Sequence, residues 1–208
     1  MKSPVHHLEA KRKVREEAIL LTLKRLDFLT RNQIQAIQNL KSDRNAQRVL
    51  KQMEEYLSVI RDGEFVYYLN AAGRALVNCD KVRKSTGNIQ HNIMRNHIYI
   101  AFGCPESWRN EMRIRSEGAT KKENVTCVAD ALFKQGDVYV IVEVDNTQTM
   151  KKNQAKIERY RILRQRGSFG MMAPKFVWIT NSEHRREELR KLSGGMNTQV
   201  FTTSDFTA

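Results

Sequence analysis

Cysteine is nearly absent: Cys79, Cys104 and Cys127 stand far apart, with no CxxC pair. Such spacing supplies neither a disulfide framework nor a zinc ribbon, and the three read as reduced, buried thiols. Long hydrophobic runs are missing too, since no stretch approaches the roughly 18 apolar residues of a membrane span. Charge begins at Lys2, and no apolar core of signal-peptide type follows. The expectation is a cytoplasmic protein without a membrane partner. Acidic residues are in deficit: 23 Asp and Glu face 36 Lys and Arg, a formal charge of +13. An excess of that size points to a polyanion such as nucleic acid, with a basic protein lacking such a partner as the bland alternative. Residues 1–80 carry 14 basic and 10 acidic side chains, and residues 81–208 carry 22 and 13. The later part needs a partner at least as much as the earlier one.

The 208 residues, 40% of them hydrophobic, suit two small domains. The first is expected over residues 10–80. In residues 14–26, Val14, Ala18, Leu21 and Leu26 form a helical stripe, widened by Ile19, Leu20 and Leu23. Thr30 is a hydroxyl N-cap before a short helix carrying Ile34 and Ile37, and Ser42 is a second capping candidate. Ala46, Val49, Leu50, Met53 and Leu57 then follow at helical spacing. They leave Arg44, Asn45, Gln47, Arg48 and Lys51 on the other surface, side chains able to reach base edges and phosphates. Two β-rich runs, residues 57–60 and 65–69, flank Arg61-Asp62-Gly63-Glu64, an Asp-Gly hairpin signal. A short helix from Ala71 closes the unit. Three helices, a hairpin and a helix are the order of a winged helix-turn-helix domain, in which the third helix enters the major groove and the wing, with Arg61, touches the backbone. The bland reading is a solvated helix face on a domain that serves protein contacts.

Residues 80–88 are polar and basic with turn formers, which reads as a linker with its boundary near Ser85. A second domain is expected over residues 86–208. It starts with a helix from Ile89, stopped by Gly103; His91 and His97 lie six apart, which is no ligand spacing on one helical face. Around residues 107–118, Trp108, Met112 and Ile114 alternate with Arg109, Glu111, Arg113 and Arg115, as in a half-buried strand. Residues 126–133 and 138–145 are β-prone runs around Lys134-Gln135-Gly136-Asp137. A two-residue turn at Gln135 and Gly136 would set Asp130 against Ile141 and Glu143 against Val128, and would gather Asp130, Glu143 and Asp145 on one face. Three such carboxylates need a cation nearby. Mg²⁺ is one answer, able to polarise a scissile phosphate. Lys or Arg is the other, with Lys152, Lys156, Arg159 and Arg161 on the next helix, whose buried side would be Ala155, Ile157, Tyr160 and Leu163. A strand over 175–180, a helix from Ser182, a Gly194-Gly195 break and a last strand complete a mixed α/β sheet covered by helices.

The order Asp130, hairpin, Glu143-Val144-Asp145 resembles the core of the PD-(D/E)xK, or restriction-endonuclease-like, fold. There an Asp and a second acid bind metal, and a Lys two places on orients the attacking water; here Asp145 stands in that place. The whole chain resembles the replication-relaxation family of plasmids and related mobile elements. The matching stretches are the His91 helix, Trp108 to Glu111, Val128-Ala129-Asp130, Val142 to Asp145 with Thr147, Lys156 to Tyr160, and the strand at 176–180 with the charged helix after it. The resemblance implies an α+β protein, a winged helix-turn-helix followed by a restriction-endonuclease-like domain. It also implies an acidic pair Asp130 and Glu143, a supporting Glu111, and Lys156 or Lys152 in place of the missing lysine.

Three functions follow as expectations. The favoured one is a non-catalytic DNA-binding protein acting in replication, transfer or its regulation, with double-stranded DNA and a replication or transfer protein as partners. Arg44, Asn45, Gln47, Arg48, Lys51, Arg61, Lys152 and Arg159 would be its contacts. Another is a Mg²⁺-dependent endonuclease or nickase, with the ion on Asp130, Glu143 and Asp145 and with Lys156 and Glu111 in support. The third is a protein-interaction module for an acidic partner. A symmetric operator would demand a dimer, and the sequence displays no dimer interface.

Overall fold

Thr30 and Ser42 set the frame of the first part of the chain, because each ends an extended segment and caps a helix. The Thr30 hydroxyl accepts from the Gln33 N–H while the Gln33 side chain accepts from the Thr30 N–H, a capping box at the head of α2 (Arg31–Gln38). Ser42 caps α3 (Asp43–Gln52) through the Asn45 N–H. Both lie after α1 (Pro4–Leu26) and the two-residue strand β1 (Leu29–Thr30). Hairpin β2 (Leu57–Asp62) and β3 (Glu64–Leu69) follows, then α4 (Ala71–Leu76) and α5 (Ile89–Ala101). The computed structural model describes residues 4–84 and 88–206. Among them are seven α-helices and two sheets, a mixed α+β architecture. The expected boundary at Ser85 lies outside the described residues.

Several expectations shift in this part. Helix α1 starts at Pro4, not Val14. Its buried stripe is Ile19, Leu20, Leu23 and Leu26, whereas Val14 and Leu21 are exposed. Ile19, Leu20, Leu23 and Leu26 were all on the expected buried side, and the error lies in extending that side to Val14 and Leu21, which share the helical spacing but face solvent. Helix α3 stops at Gln52, and Leu57 opens a strand instead of closing that helix. Strand β1 pairs with β3, so the hairpin becomes a three-stranded sheet of order β1-β3-β2.

The chain divides into two compact units, Met1–Asn96 and His97–Ala208, a division that falls inside α5. The start of α5 belongs with the first unit for physical reasons. Ile89 and Ile93 pack with Phe28 and Val66, and the Gln33 amide donates to the Ile93 carbonyl. Asn96 donates to the carbonyls of Leu26 and Phe28 at 3.1 and 2.8 Å, which satisfies backbone groups at the abrupt end of α1. There Asp27 takes a φ of 75°. Its buried carboxylate is met by Arg95 at 3.4 Å, Lys81 at 3.5 Å, and Arg83.

The second unit is a five-stranded sheet of order β4-β5-β6-β7-β8. Its strands are β4 (Arg109–Ser116), β5 (Val125–Gln135), β6 (Val138–Asp145), β7 (Lys175–Thr180) and β8 (Thr198–Thr202). The first two joins are antiparallel and the last two parallel. The parallel joins are made through α6 (Met150–Gln165) and α7 (Glu183–Leu192). Strand β6 is central and buried along most of its length, as a run of β-branched residues with helices over it should be. Ile157, Tyr160 and Leu163 of α6 pack on Ile141, Phe176 and Trp178. Ala155, expected on that side, is exposed, and Asn153 is buried in its stead.

Gly73 in α4 gives a direct check on the first unit. A Cβ there would lie 2.2 Å from the Tyr56 carbonyl oxygen, which accepts the Asn70 N–H at 3.1 Å. Gly73→Ala should therefore destabilise by about 1–3 kcal/mol through overpacking, despite alanine's better helix propensity. A urea unfolding midpoint at or above wild type would refute it.

Candidate functional site: a buried acidic pair and its cations

Strand β6 ends in two carboxylates, Glu143 and Asp145, that alternate with valines. The register that positions them differs from expectation. Leu132 pairs with Ile141 and Gln135 with Val138, so the turn is Gly136-Asp137, with Gly136 at φ 59°, and not Gln135-Gly136. Glycine takes the left-handed position of this turn at no steric cost. The shift moves β6 by two residues along β5. Beyond the last pair, Ala131 with Val142, the Asp130 carboxylate accepts the Val144 N–H at 2.8 Å. On the other edge, Asp130 lies between the pairs Met112–Ala129 and Asn110–Ala131. Glu111 stands opposite Asp130 in that unbroken register and takes a φ of 54°, a local distortion of the strand without an inserted residue. Asp130 and Glu143 are thus brought together where the ladder is perturbed.

Glu143 is 1% exposed. Its Oε2 accepts from the Lys156 ammonium and its Oε1 from the Tyr160 hydroxyl. Lys156 and Tyr160 are four apart on α6 and so share one face. Burial, then the charge of Asp130, pushes the Glu143 carboxyl well above the usual carboxylate range. Burial alone would lower the Lys156 ammonium, but Glu143 and Asp130 outweigh it and raise it. Tyr160 is raised by burial and then by Glu143. The cluster keeps its lysine proton and takes up a further one more readily than a solvated carboxylate does.

Asp145 belongs to a different constellation. It is fully buried and receives Arg185 of α7 in bidentate fashion at 2.6 and 2.8 Å. Asn153 donates to it at 2.8 Å and Thr180 at 2.9 Å. The three carboxylates expected on one metal are therefore held in two sets. Glu143 has both oxygens occupied and Asp145 is saturated by four donors from three side chains. Among the described residues no group of three His, Cys, Asp or Glu is placed to hold a metal ion. The donor set does not fit Mg²⁺ as it stands.

The remaining expectations sort by position. Glu111 is exposed, as are Lys152 and Arg159 on α6. Arg161 bonds Glu158 and the carbonyls of Leu192 and Gly194, away from the carboxylates. In the first unit, Arg44, Gln47, Arg48 and Lys51 are exposed along α3, and Arg61 is exposed on the hairpin. Asn45 differs: it is partly buried, donates to the Leu40 carbonyl at 2.8 Å and accepts from Arg48 at 2.8 Å. Its amide holds the α2–α3 turn and is not presented outward. Sequence reasoning had placed Tyr160 only in the core, and it missed Arg185, Asn153 and Thr180. Tyr160 could have been found as the residue one turn after Lys156. Arg185 offered no signal, being one of three basic residues near the head of a charged helix.

The replication-relaxation family model matches residues 20–177. No curated protein matches the chain. Among solved structures it is similar to protein VC1899 from Vibrio cholerae, with a TM-score of 0.40 and 11% identity over 99% of this chain and 55% of that one. The chain spans about half the length of that protein. No helix among the described residues is long and apolar enough to cross a membrane.

Two measurements follow from this geometry. Because the folded Glu143 carboxyl titrates above its unfolded value of about 4.3, its protonation stabilises the fold fully below that pH. The contribution is lost as pH rises through the raised folded value. Wild-type stability should accordingly fall relative to Glu143→Gln across that window, and parallel pH–stability curves would contradict the assignment. An ion bound only by the folded state would add about 2.7 kcal/mol at a hundredfold excess over its dissociation constant. Millimolar Mg²⁺ or Mn²⁺ should give no such rise in the unfolding midpoint. A rise abolished by Glu143→Gln would overturn the misfit argued above.

Proposed function

Since the chain belongs to the replication-relaxation family, which ties it to replication of mobile elements, we propose that it is a DNA-binding protein of that process. In this reading the first unit is a winged helix-turn-helix module and the second a restriction-endonuclease-like scaffold whose acids serve as ion-pair partners. The observation that carries it is the outer face of α3. Arg44, Gln47, Arg48 and Lys51 recur at three- and four-residue intervals and are all exposed. Ala46, Val49 and Leu50 bury the opposite face. A helix presenting one amide and three cations, held by a capped turn behind another short helix, suits entry into a major groove. The hairpin with exposed Arg61 suits contact with the flanking backbone. Arg48 bonded to Asn45 is a preorganised donor, with less side-chain entropy to lose on meeting a phosphate or a guanine.

The charge of +13 supports the same reading. Exposed Lys152 and Arg159 on α6 add phosphate contacts from the second unit. A non-catalytic role for that unit is favoured by the engagement of Glu143 with Lys156 and Tyr160 and of Asp145 with Arg185. We place the protein in the cytoplasm on this reading, where its DNA would be.

The logarithm of the affinity for a duplex should fall linearly with the logarithm of salt concentration. Each of Arg44→Ala, Arg48→Ala and Lys51→Ala should flatten that slope by about one phosphate contact. Gln47→Ala should leave the slope alone and reduce discrimination between sequences. Slopes unchanged in all three basic variants, measured by anisotropy, would remove α3 from the interface.

A further inference from the structure

The three-stranded sheet of the first unit has one covered face and one open one. Val59 pairs with Tyr67 and Arg61 with Phe65, so these four side chains stand on one face, and Ile60, Val66 and Tyr68 stand on the other. The second face is closed: Val66 is fully buried and packs with Phe28, Ile89 and Ile93. The first is not. Phe65 is 54% exposed and Val59 48%. Between this face and α3 runs a groove of about 300 Å³, lined by Arg31, Gln47, Lys51, Val59, Phe65 and Tyr67. Glu54 is the acid on its wall.

An apolar, aromatic floor with a cationic rim matches a particular ligand chemistry. Duplex DNA offers base edges and phosphates to a protein, because its base faces are stacked on one another. An unpaired base offers its π-face, and the strand that carries it offers phosphates on both sides. Phe65 supplies a flat, solvent-facing ring. Arg31 lies near enough to Tyr67 to act on its hydroxyl electrostatically, Lys51 also lines the groove, and Arg61 stands directly across the hairpin from Phe65. We propose that this groove binds single-stranded DNA, with an unpaired base stacked on Phe65 and its neighbouring phosphates taken by Arg31, Lys51 and Arg61. The inference rests on the DNA-binding reading above and deepens it: the stripe of α3 meets a duplex, and the adjoining groove accepts a strand that has left one. Gln47 and Lys51 belong to both surfaces, which makes the groove continuous with the α3 stripe.

The test uses the full chain and two labelled probes of equal length, a single-stranded thymidine homopolymer and a duplex. Phe65→Ala should weaken single-strand binding by about five- to a hundredfold, the usual loss of one base–aromatic stack, and should change duplex binding less than about twofold. Phe65→Trp should restore single-strand affinity, and its indole emission should be quenched on binding. Equal losses on both probes, or no loss on either, would overturn the proposal. Duplex binding without single-strand binding would overturn it and leave the DNA-binding reading standing. Failure of both probes to bind would remove both readings and leave the open face to a protein partner.

Discussion

Two buried carboxylates on one central strand govern the second unit. Glu143 and Asp145 sit at the end of β6, 1% and 0% exposed, where an unpaired charge would cost several kcal/mol. Each is met by a cation from a different helix, Lys156 of α6 and Arg185 of α7. The two crossover helices are thereby fixed to the same end of the same strand. Hydrophobic packing of Ile157, Tyr160, Leu163 and Leu189 would hold them loosely in rotation and register. The ion pairs specify a single arrangement, because a one-residue slip of either helix would leave a charge buried and unmatched. Such pairs add little net stability compared with apolar residues of like volume, so their presence here speaks for specificity of packing.

Asp145 illustrates this division of labour. In a PD-(D/E)xK arrangement its position would carry a lysine. With an aspartate there, positive charge has to come from elsewhere, and two sources supply it in different directions. Arg185, Asn153 and Thr180 satisfy Asp145 itself, while Lys156 reaches Glu143 from α6. The cation beside Glu143 comes from a helix, and Asp145 is a tie between β6, β7 and both helices. Asp130 remains at the perturbed edge of β5, its charge felt by Glu143 and Lys156 alike. The result is a cluster whose net demand is for protons and ammonium groups, not for a divalent ion.

Much of the architecture was legible in the sequence. The caps Thr30 and Ser42, the Asp-Gly hairpin, the β-prone runs around residue 136 and the strand at 175–180 all coincide with observed elements. They are local signals, set by hydroxyl capping, glycine's left-handed freedom and β-branched runs, and local chemistry suffices to place them. What failed was whatever depends on contacts between distant residues. The buried side of α1 was drawn too wide, because Val14 and Leu21 share its helical spacing and only packing shows that they face solvent. The hairpin register slipped because Gln135-Gly136 and Gly136-Asp137 are both acceptable turns. Asn153, Thr180 and Arg185 converge on Asp145 from 8, 35 and 40 residues away, and no spacing rule connects them.

The same logic bears on how charge is used along the chain. Basic side chains that neutralise buried acids, such as Arg95, Arg83, Lys156 and Arg185, are spent internally and contribute little to an outer field. Those that stand exposed are the ones that can meet a polyanion: Arg44 and Lys51 on α3, Arg61 on the hairpin, Lys152 and Arg159 on α6. Composition alone could not separate the two groups, since a formal +13 counts them equally. Burial does separate them, and it assigns the first unit a concentrated stripe beside an exposed aromatic side chain. In the DNA-binding reading proposed above, recognition would depend on that local density and on Phe65 beside it, more than on which part of the chain holds the larger total.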